Sequence, residues 1–484
     1  MKLSNLLKNV DVIEIKNFCD LDIKCLSMDS RNESPNGIFF CISGESFDGH
    51  NYFLQATSNG AVCLVVDHFV DSFVTQILVK NIRNAMSQIS ANFFEFDKCN
   101  IKFVGITGTN GKTTTSFLVK NILSNLNHTV GLIGTEGCFV NSEMITPPNL
   151  TTPDSTDLFQ TINIMMSKNV EYIIMEVSAH ALFYDKIDLI KFEVSALTNI
   201  TQDHLDFFGN MLNYINAKKT LFQDNHSKKC IINIDEANSH EVFNQIHIPK
   251  FCLSKDKLAD YIITNIKSDI NGNSAILTHQ SQNHYLFTSM IGEYNLYNCV
   301  MAVAICHQMG FDIQTLCDVL AENNFVVPGR FNTLKTKICN IIVDFAHTPD
   351  GMEKILKTIN DIKTSNQKLV VVFGCGGNRD KIKRPLMGEI ASRLADYVVI
   401  TSDNPRYENP DDIISDVEKG IKTNNYVKIS DRKEAIHFAL NSVQKNDIVA
   451  ILGKGNEQYQ VIDNIKQKYN DFDVINTYME NFDD

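Results

Sequence analysis

"IKFVGITGTNGKTTTSFLVKNILSNL", residues 101–126, joins an apolar run to a glycine turn and then to a helical pattern. The run Ile101 to Ile106 reads as a buried strand. After the turn, Phe117, Leu118, Ile122 and Leu126 fall near one face of a helix. A glycine turn between strand and helix, ending in Lys112 and Thr113, is a cradle for phosphate. Its glycines let backbone N–H groups point inward, and the helix N-terminus adds partial positive charge. Gly108, Thr109, Asn110, Gly111, Lys112, Thr113 and Thr114 are therefore the expected nucleotide contacts. Lys112 is placed to reach the β- and γ-phosphates, and Thr113 to offer a hydroxyl to Mg²⁺. The spacing is one residue longer than the common G-x-x-x-x-G-K-[ST] loop, because the earlier glycine is Gly105 and Ile106 stands five before Gly111. The turn predicts a nucleoside triphosphate and leaves the reaction open.

The rest of the chain bounds that reaction. With 484 residues, 44% hydrophobic and 21% charged, the composition is that of a globular enzyme of several domains. A formal charge of −13 argues against nucleic acid as a partner. Thirteen cysteines are scattered through apolar runs (Cys63, Cys230, Cys306) with no C-x-x-C pair, which fits a reducing compartment and argues against a zinc site. The N-terminus does not read as a signal peptide, and no apolar run approaches membrane-spanning length. A cytoplasmic protein with no membrane insertion is expected.

Three α/β units are predicted. Residues 1–95 hold the strand-like runs "GIFFCIS" and "AVCLVVD". Residues 96–329 alternate strand, loop and helix, which implies a mainly parallel sheet. Residues 330–484 hold four more runs, "NIIVDF", "KLVVVFG", "ADYVVIT" and "NDIVAILG", a Rossmann-like pattern. Ligands bind beyond the carboxyl ends of such strands, so the loops beginning at Asp344, Gly374, Ser402 and Gly453 are candidate site positions. "VVPGRFN", residues 326–332, is the expected hinge.

Two further stretches suggest metal. "YIIMEVSAHAL" ends a buried strand in Glu176, placed either to hold the Mg²⁺ that bridges phosphates or to face solvent as a strand-end acid. "TNITQDHLDFFGN" crowds Asp203, His204 and Asp206 into a metal-like span that reads equally well as an N-cap cluster. His180 reads as a packed, hydrogen-bonded histidine.

Taken together, "GITGTNGKTTT", "MEVSAHAL", "TNITQDHLDFFGNMLNYINAKKTLF", "GEYNLYN", "PGRFN" and "DFAHTPDGM" resemble the Mur ligase family of peptidoglycan synthesis. The longer loop spacing is that family's own. "GCGGNRDKIKRPLM" and "SDNPRYENP", with the N-terminal "SMDSRNESPNGIFFCISGESFDGHNY", are similar to its MurE type. The resemblance spans nearly the whole chain.

It implies ATP-dependent amide formation, with UDP-N-acetylmuramoyl-L-alanyl-D-glutamate as acceptor, meso-diaminopimelate as amine, Mg²⁺ as cofactor and a monomer as the working form. Glu176 is then a ligand of a first Mg²⁺ and His204 of a second. Lys218 is a lysine carbamylated to help hold metal; the residues alone would make it an exposed helix lysine, with Lys219 its rival. Asn295, Arg330, Asp344 and His347 complete the nucleotide contacts, with Arg330 carried in by closure of the hinge. Met28, Ser30, Glu45, Ser46, Phe47, Thr151, Thr152, Ser178 and Lys186 are implied contacts of the UDP-sugar peptide. Arg379, Asp403, Asn404, Pro405, Arg406, Gly453 and Glu457 are implied contacts of the amino acid, with Arg406 forking onto its distal carboxylate and Glu457 pairing its ammonium. Lys186, Gln202, Ala179 and Asn456 depart from the family pattern. The alternatives are a relative adding L-lysine, a folylpolyglutamate synthetase-like ligase, and a nucleotide switch without chemistry.

Overall fold

The computed structural model describes residues 1–44, 47–255, 258–463 and 465–483, with side chains as far as residue 480. Three sheets carry the fold. The first has five strands in the order Val12–Lys16, Thr75–Val79, Ala61–Val66, Gly37–Phe40, Cys25–Ser27. The second has eleven. Its centre runs Phe192–Leu197, Lys102–Thr107, Tyr172–Glu176, Val130–Gly134, with the phosphate-loop strand Lys102–Thr107 flanked on both sides by parallel neighbours. The third has six, and its strands Asn340–Asp344, Ile448–Leu452, Leu369–Phe373 and Tyr397–Ile400 are the four runs read in the sequence.

These runs form strands because they are buried on both faces. Every residue of Leu369–Phe373 and of Ile448–Leu452 is buried, as expected for parallel strands covered by helices on each side. Alternation is absent for the same reason. The edges of the second sheet differ. Tyr261–Asp269, Gly272–His279 and Gln282–Thr288 form an antiparallel meander at one end, and Gly137–Val140 with Glu143–Thr146 a hairpin at the other. Neither feature was legible in the sequence.

Phe117, Leu118 and Ile122 of the helix Lys112–Asn125, with Leu126 just after it, share one core as expected, and burial extends further, to every residue from Thr113 to Lys120. The helix Glu293–Gln308, itself buried from Asn298 to Cys306, packs alongside it on the same sheet. Phe117, Leu118 and Ile122 share one core with Val300, Ala304 and Ile305. The phosphate-loop helix is therefore held in place before any ligand arrives. Among the described residues no helix is long and apolar enough to cross a membrane.

Candidate active site

The loop after Lys102–Thr107 is pinned from the side by the segment after Phe192–Leu197. Thr109 N–H donates to Asn199 O at 2.9 Å, and Asn110 N–H to Asn199 Oδ1 at 3.0 Å. Asn199 Nδ2 donates back to Asn110 O at 3.0 Å. Thr109 and Asn110 thus line the cavity, but their amides are committed to the protein. The amides left for a phosphate belong to Gly111, Lys112, Thr113 and Thr114, the first donors of the helix. Gly111 adopts φ +85°, and a β-carbon there would meet Asn298 Oδ1, so the turn requires glycine.

Behind the loop stands Glu176, wholly buried at the end of its strand. The solvent-facing alternative is excluded. Its carboxylate accepts from Thr113 Oγ1 at 2.9 Å, from Thr135 Oγ1 at 3.0 Å and from Thr135 N–H at 3.1 Å. Arg330, from the hinge, donates through Nη2 to Thr113 Oγ1 at 3.2 Å, and its guanidinium lies 4.4 Å from the Phe345 ring centroid. Loop, carboxylate and hinge arginine therefore form one bonded group.

Lys112 and Lys218 converge on a single carbonyl. Gly108 O accepts from Lys112 Nζ at 2.8 Å and from Lys218 Nζ at 2.9 Å. Lys218 is buried, 1% exposed, while its neighbour Lys219 reaches Gln245 at 2.9 Å. Burial, and then the charge of Lys112, push the Lys218 ammonium well below its ordinary value. Burial also lowers Lys112, against the pull of Glu176 and Asp203. A buried amine shifted toward its neutral form is what carbamylation by CO₂ needs.

The span 203–206 is not an N-cap cluster. His204 precedes the short helix Leu205–Phe208 with φ +56° and caps nothing, while the next helix is capped by Asn210. Asp203 instead sits buried beside one lysine and two imidazoles. His204 Nε2 lies 3.4 Å, Lys383 Nζ 3.6 Å and His347 Nε2 3.9 Å from its carboxylate. Burial favours neutral Asp203, yet Lys383, His204 and His347 hold its carboxyl below the usual range. Burial drives His204 down to about 3, so its imidazole is neutral and able to ligate at physiological pH. His180 packs edge-on against His204 at 4.9 Å and tilted against Phe207 at 4.5 Å, ring contacts in place of the expected hydrogen bond among the described residues.

A cavity of ≈ 1150 Å³ opens over the loop. Asn295, Arg330, Asp344 and His347 all line it. Asp344 is buried with both oxygens on backbone amides, Phe331 N–H and Ala346 N–H, each at 2.7 Å. It fixes the hinge turn, and burial raises its pKa against the nearby Arg330. The third sheet closes the cavity through further contacts: Asn110 Nδ2 to Asp350 at 2.9 Å, Gln202 Nε2 to Asp380 at 3.2 Å and Asn456 Nδ2 to Glu136 at 3.0 Å. Glu136, buried and raised by that burial, carried no signal in the sequence. Gln202 and Asn456, two of the departures, are both joints between units.

Of the implied UDP-substrate residues, Thr151 and Thr152 bond to the group around Glu176, and the others lie further out. Thr156 Oγ1 lies 3.9 Å from Met28 Sδ. Lys186 pairs with Asp154 at 2.7 Å, both largely buried. Thr152 Oγ1 donates to Glu176 O at 2.8 Å and accepts from Ser178 N–H at 3.0 Å. Thr151 Oγ1 meets Thr135 Oγ1 at 3.1 Å. Ser30 Oγ donates to Gln55 at 2.8 Å, and Phe47 is 55% exposed. Glu45 and Ser46 lie outside the described residues. Nearby, Asp48, His50 and His68 offer ligand atoms within 4.8 Å of one another. The two imidazoles are stacked, centroids 4.0 Å and planes 22° apart, so their in-plane lone pairs run side by side rather than toward a shared ion. The group reads as a staple for this loop.

The implied amino-acid residues gather elsewhere, at the strand ends of the third sheet. Asn404 Nδ2 donates to Glu457 Oε2 at 3.0 Å. Arg406, at φ +54°, donates from Nη1 to Gly377 O at 2.8 Å and follows Pro405 out of the strand-end loop. Its Nε and Nη2 have no partner among the described residues. Gly453 has φ +110°, and a β-carbon there would stand 2.9 Å from Asp403 Oδ2. Burial opposes the charge of Asp403, but Lys454, Arg432 and Arg406 keep its carboxyl below the ordinary value. Glu457 Oε2 also accepts from buried Lys454 at 2.6 Å. Arg379 is exposed and donates to Asn378 O at 2.9 Å. This cluster stands beside the nucleotide cavity and is tied to it through Lys383–Asp203 and Gln202–Asp380.

A phosphate loop on a parallel sheet, closed by a Rossmann-like unit whose hinge arginine reaches the loop threonine, defines the class: a nucleotide-using enzyme that assembles its site between domains. Profiles of the Mur ligase middle domain and of the Mur ligase, glutamate ligase domain match residues 106–306 and 329–455. The chain belongs to the Mur ligase family. It is 38% identical over 99% of each chain to a "UDP-N-acetylmuramoyl-L-alanyl-D-glutamate--2,6-diaminopimelate ligase 1" from Clostridium acetobutylicum. It is 37% identical, over 98% of this chain and 99% of the other, to the enzyme of that name from Clostridioides difficile. A solved structure of a 2,6-diaminopimelate ligase of the same name aligns with TM-score 0.66 and 28% identity over 96% of both chains.

Proposed function

We propose that this protein is the ATP-dependent ligase that joins meso-diaminopimelate to UDP-N-acetylmuramoyl-L-alanyl-D-glutamate, acting as a monomer in the cytoplasm. Units 1–95, 96–329 and 330–484 take the uridine end, the nucleotide and the amine respectively. The observation that carries the chemistry is the bonded group of Thr113, Glu176 and Arg330. It joins phosphate loop, buried carboxylate and a cation from the closing unit at one point. Full-length similarity to diaminopimelate ligases carries the choice of substrates.

The free glutamate carboxylate attacks the γ-phosphorus of ATP, the bond to the bridging oxygen breaks, and ADP leaves. The acyl phosphate formed is then attacked by the amine. The tetrahedral adduct collapses to the amide, releasing phosphate and a proton. The first step brings two anions together, so its barrier is largely electrostatic. Lys112 and Arg330 supply fixed positive charge, and the Gly111–Thr114 amides hold the phosphates. The donor set fits Mg²⁺: Thr113 and Glu176 offer hard oxygens, and Lys218 becomes one when carbamylated, with neutral His204 beside them. Mg²⁺ held by these groups would add charge neutralisation to the transfer.

Amine selectivity rests on Arg406. Its open guanidinium edge matches the distal carboxylate that L-lysine lacks, and a site built for a paired group rejects an analogue without it. The test is competitive: the protein, ATP, Mg²⁺ and the UDP-muramyl dipeptide with diaminopimelate against L-lysine. Diaminopimelate product is expected to dominate, and equal use of both amines would sink the reading.

A further inference from the structure

Beneath the amine cluster lies an ion pair that the chemistry above does not use. Arg432 and Asp471 have fully buried side chains. Arg432 Nε donates to Asp471 Oδ1 at 2.8 Å and Nη2 to Oδ2 at 2.7 Å, a two-pronged pair. The guanidinium has further partners: Nη2 donates to Leu452 O at 3.1 Å and Nη1 to Ser402 O at 3.4 Å. Those carbonyls stand immediately before Gly453 and Asp403. One arginine therefore grips the roots of both loops that bear the implied diaminopimelate contacts. Asn470, next to Asp471, adds a bond from Nδ2 to Glu457 O at 3.0 Å. Above, Lys454 spans the same two loops, from Asn404 Oδ1 at 3.1 Å to Glu457 Oε2 at 2.6 Å.

Stability alone does not account for this arrangement. A buried ion pair is often matched or bettered by apolar residues of similar volume. What an apolar pair cannot do is hold two carbonyls in register. We propose that Arg432, with Asp471 as its anchor, is a positioning residue for the amine site. It fixes the spacing between the Asp403–Arg406 and Gly453–Glu457 loops, and so the affinity for the diamino acid and its preference over L-lysine. It does not touch the substrate. The inference rests on the functional reading above.

The test uses the full-length protein with Arg432→Met and Asp471→Leu combined, so that no lone charge is left buried, and Arg432→Lys beside it. Thermal melting and ATP binding establish folding. The double variant is expected to melt near the wild type and to keep KM for ATP and for the UDP-muramyl dipeptide within about twofold. Its KM for diaminopimelate is expected to rise about tenfold or more, as for lost charge-assisted hydrogen bonds, and its preference over L-lysine to shrink. Arg432→Lys keeps the charge and loses the fork, so its KM should fall between the two. A folded double variant with unchanged KM for the diamino acid overturns the inference. So does a parallel rise in all three constants, which would mark a merely structural pair. A wild type that binds ATP but turns over no diaminopimelate sinks the functional reading, and this inference with it.

Discussion

The phosphate cradle and the amine cluster solve the same problem, holding charged groups still in a buried place, in different ways. The cradle is nearly continuous in sequence. Its donors run from Gly111 to Thr114 on a buried helix, and two of its main partners, Glu176 and Asn199, end or follow the parallel strands that flank the loop's own strand. The amine cluster takes Arg379, Asp403–Arg406 and Gly453–Glu457 from separate loops and ties them with buried charges, Arg432, Lys454 and Asp471. Local backbone geometry does most of the work in the first region, and long-range side-chain bonds in the second. The first should lose catalysis when a charge is removed, and the second should lose affinity and selectivity.

The largest expected effect is in the cradle. Lys218→Met removes a buried amine that is shifted well below its ordinary value. Because the folded chain holds that proton less firmly than the unfolded chain does, Lys218 weakens the native state below the ordinary lysine pKa. That penalty shrinks as pH rises from the folded toward the ordinary value. The variant should therefore melt higher than the wild type at pH 7 while ligase turnover falls about a thousandfold, the scale of losing a main electrostatic contact. A variant at Lys219 should do neither. A Lys218→Met protein that is active, or no more stable, would break the assignment.

Next comes the amine cluster. Arg406→Lys keeps a cation but not the fork. KM for diaminopimelate should rise about tenfold to a hundredfold, with ATP binding unchanged. Unchanged selectivity against L-lysine would remove Arg406 from the recognition of the distal carboxylate.

The same contrast decides what could be read from the sequence. The cradle was legible because strand, turn and helix follow one another. Even so, the commitment of Thr109 and Asn110 to Asn199 was not, since it depends on which strand lies alongside. Glu176 was recognised as a strand-end acid, but its burial required the hairpin after Val130–Gly134 to bring Thr135 over it. Lys218 read as exposed because its helix is short and polar, and only the fold shows the loop it faces. In the third unit the resemblance found Asp403, Arg406 and Glu457. The residues that hold them, Arg432, Lys454 and Asp471, sit in ordinary helix-start and loop sequence, and Glu136 lies after a strand with nothing to mark it.

A smaller, pH-dependent effect tests the loop that presents Arg379. Glu408 accepts from Asn378 N–H and from fully buried Arg384 at 2.9 and 3.0 Å. Hydrogen bonds from Arg384, against some burial, lower its pKa from 4.5 to about 2. Its contribution to stability is therefore present above about pH 4.5 and lost as pH falls through about 2. Glu408→Gln should lower the melting temperature at pH 7, and the difference from the wild type should close across that acid window. A difference that stays constant with pH would mean that the ion pair does not carry it.

The smallest effect lies at the joint between the two regions. Asn456 bonds Glu136 at 3.0 Å, and Arg330 Nη1 lies 3.9 Å from the same carboxylate. Asn456→Ala removes one bond to a buried carboxylate and leaves the charge to Arg330. The closed arrangement should weaken by about 1 kcal/mol, read as a severalfold rise in KM for ATP with kcat little changed. Glu136→Gln keeps an acceptor for Asn456 and removes the charge that burial disfavours, so it should leave KM nearer the wild type than Asn456→Ala does. If the two variants together cost the sum of their separate effects, the residues are not coupled, and the closure of the cradle by the third sheet rests on its other contacts, Arg330, Asn110, Gln202 and Lys383.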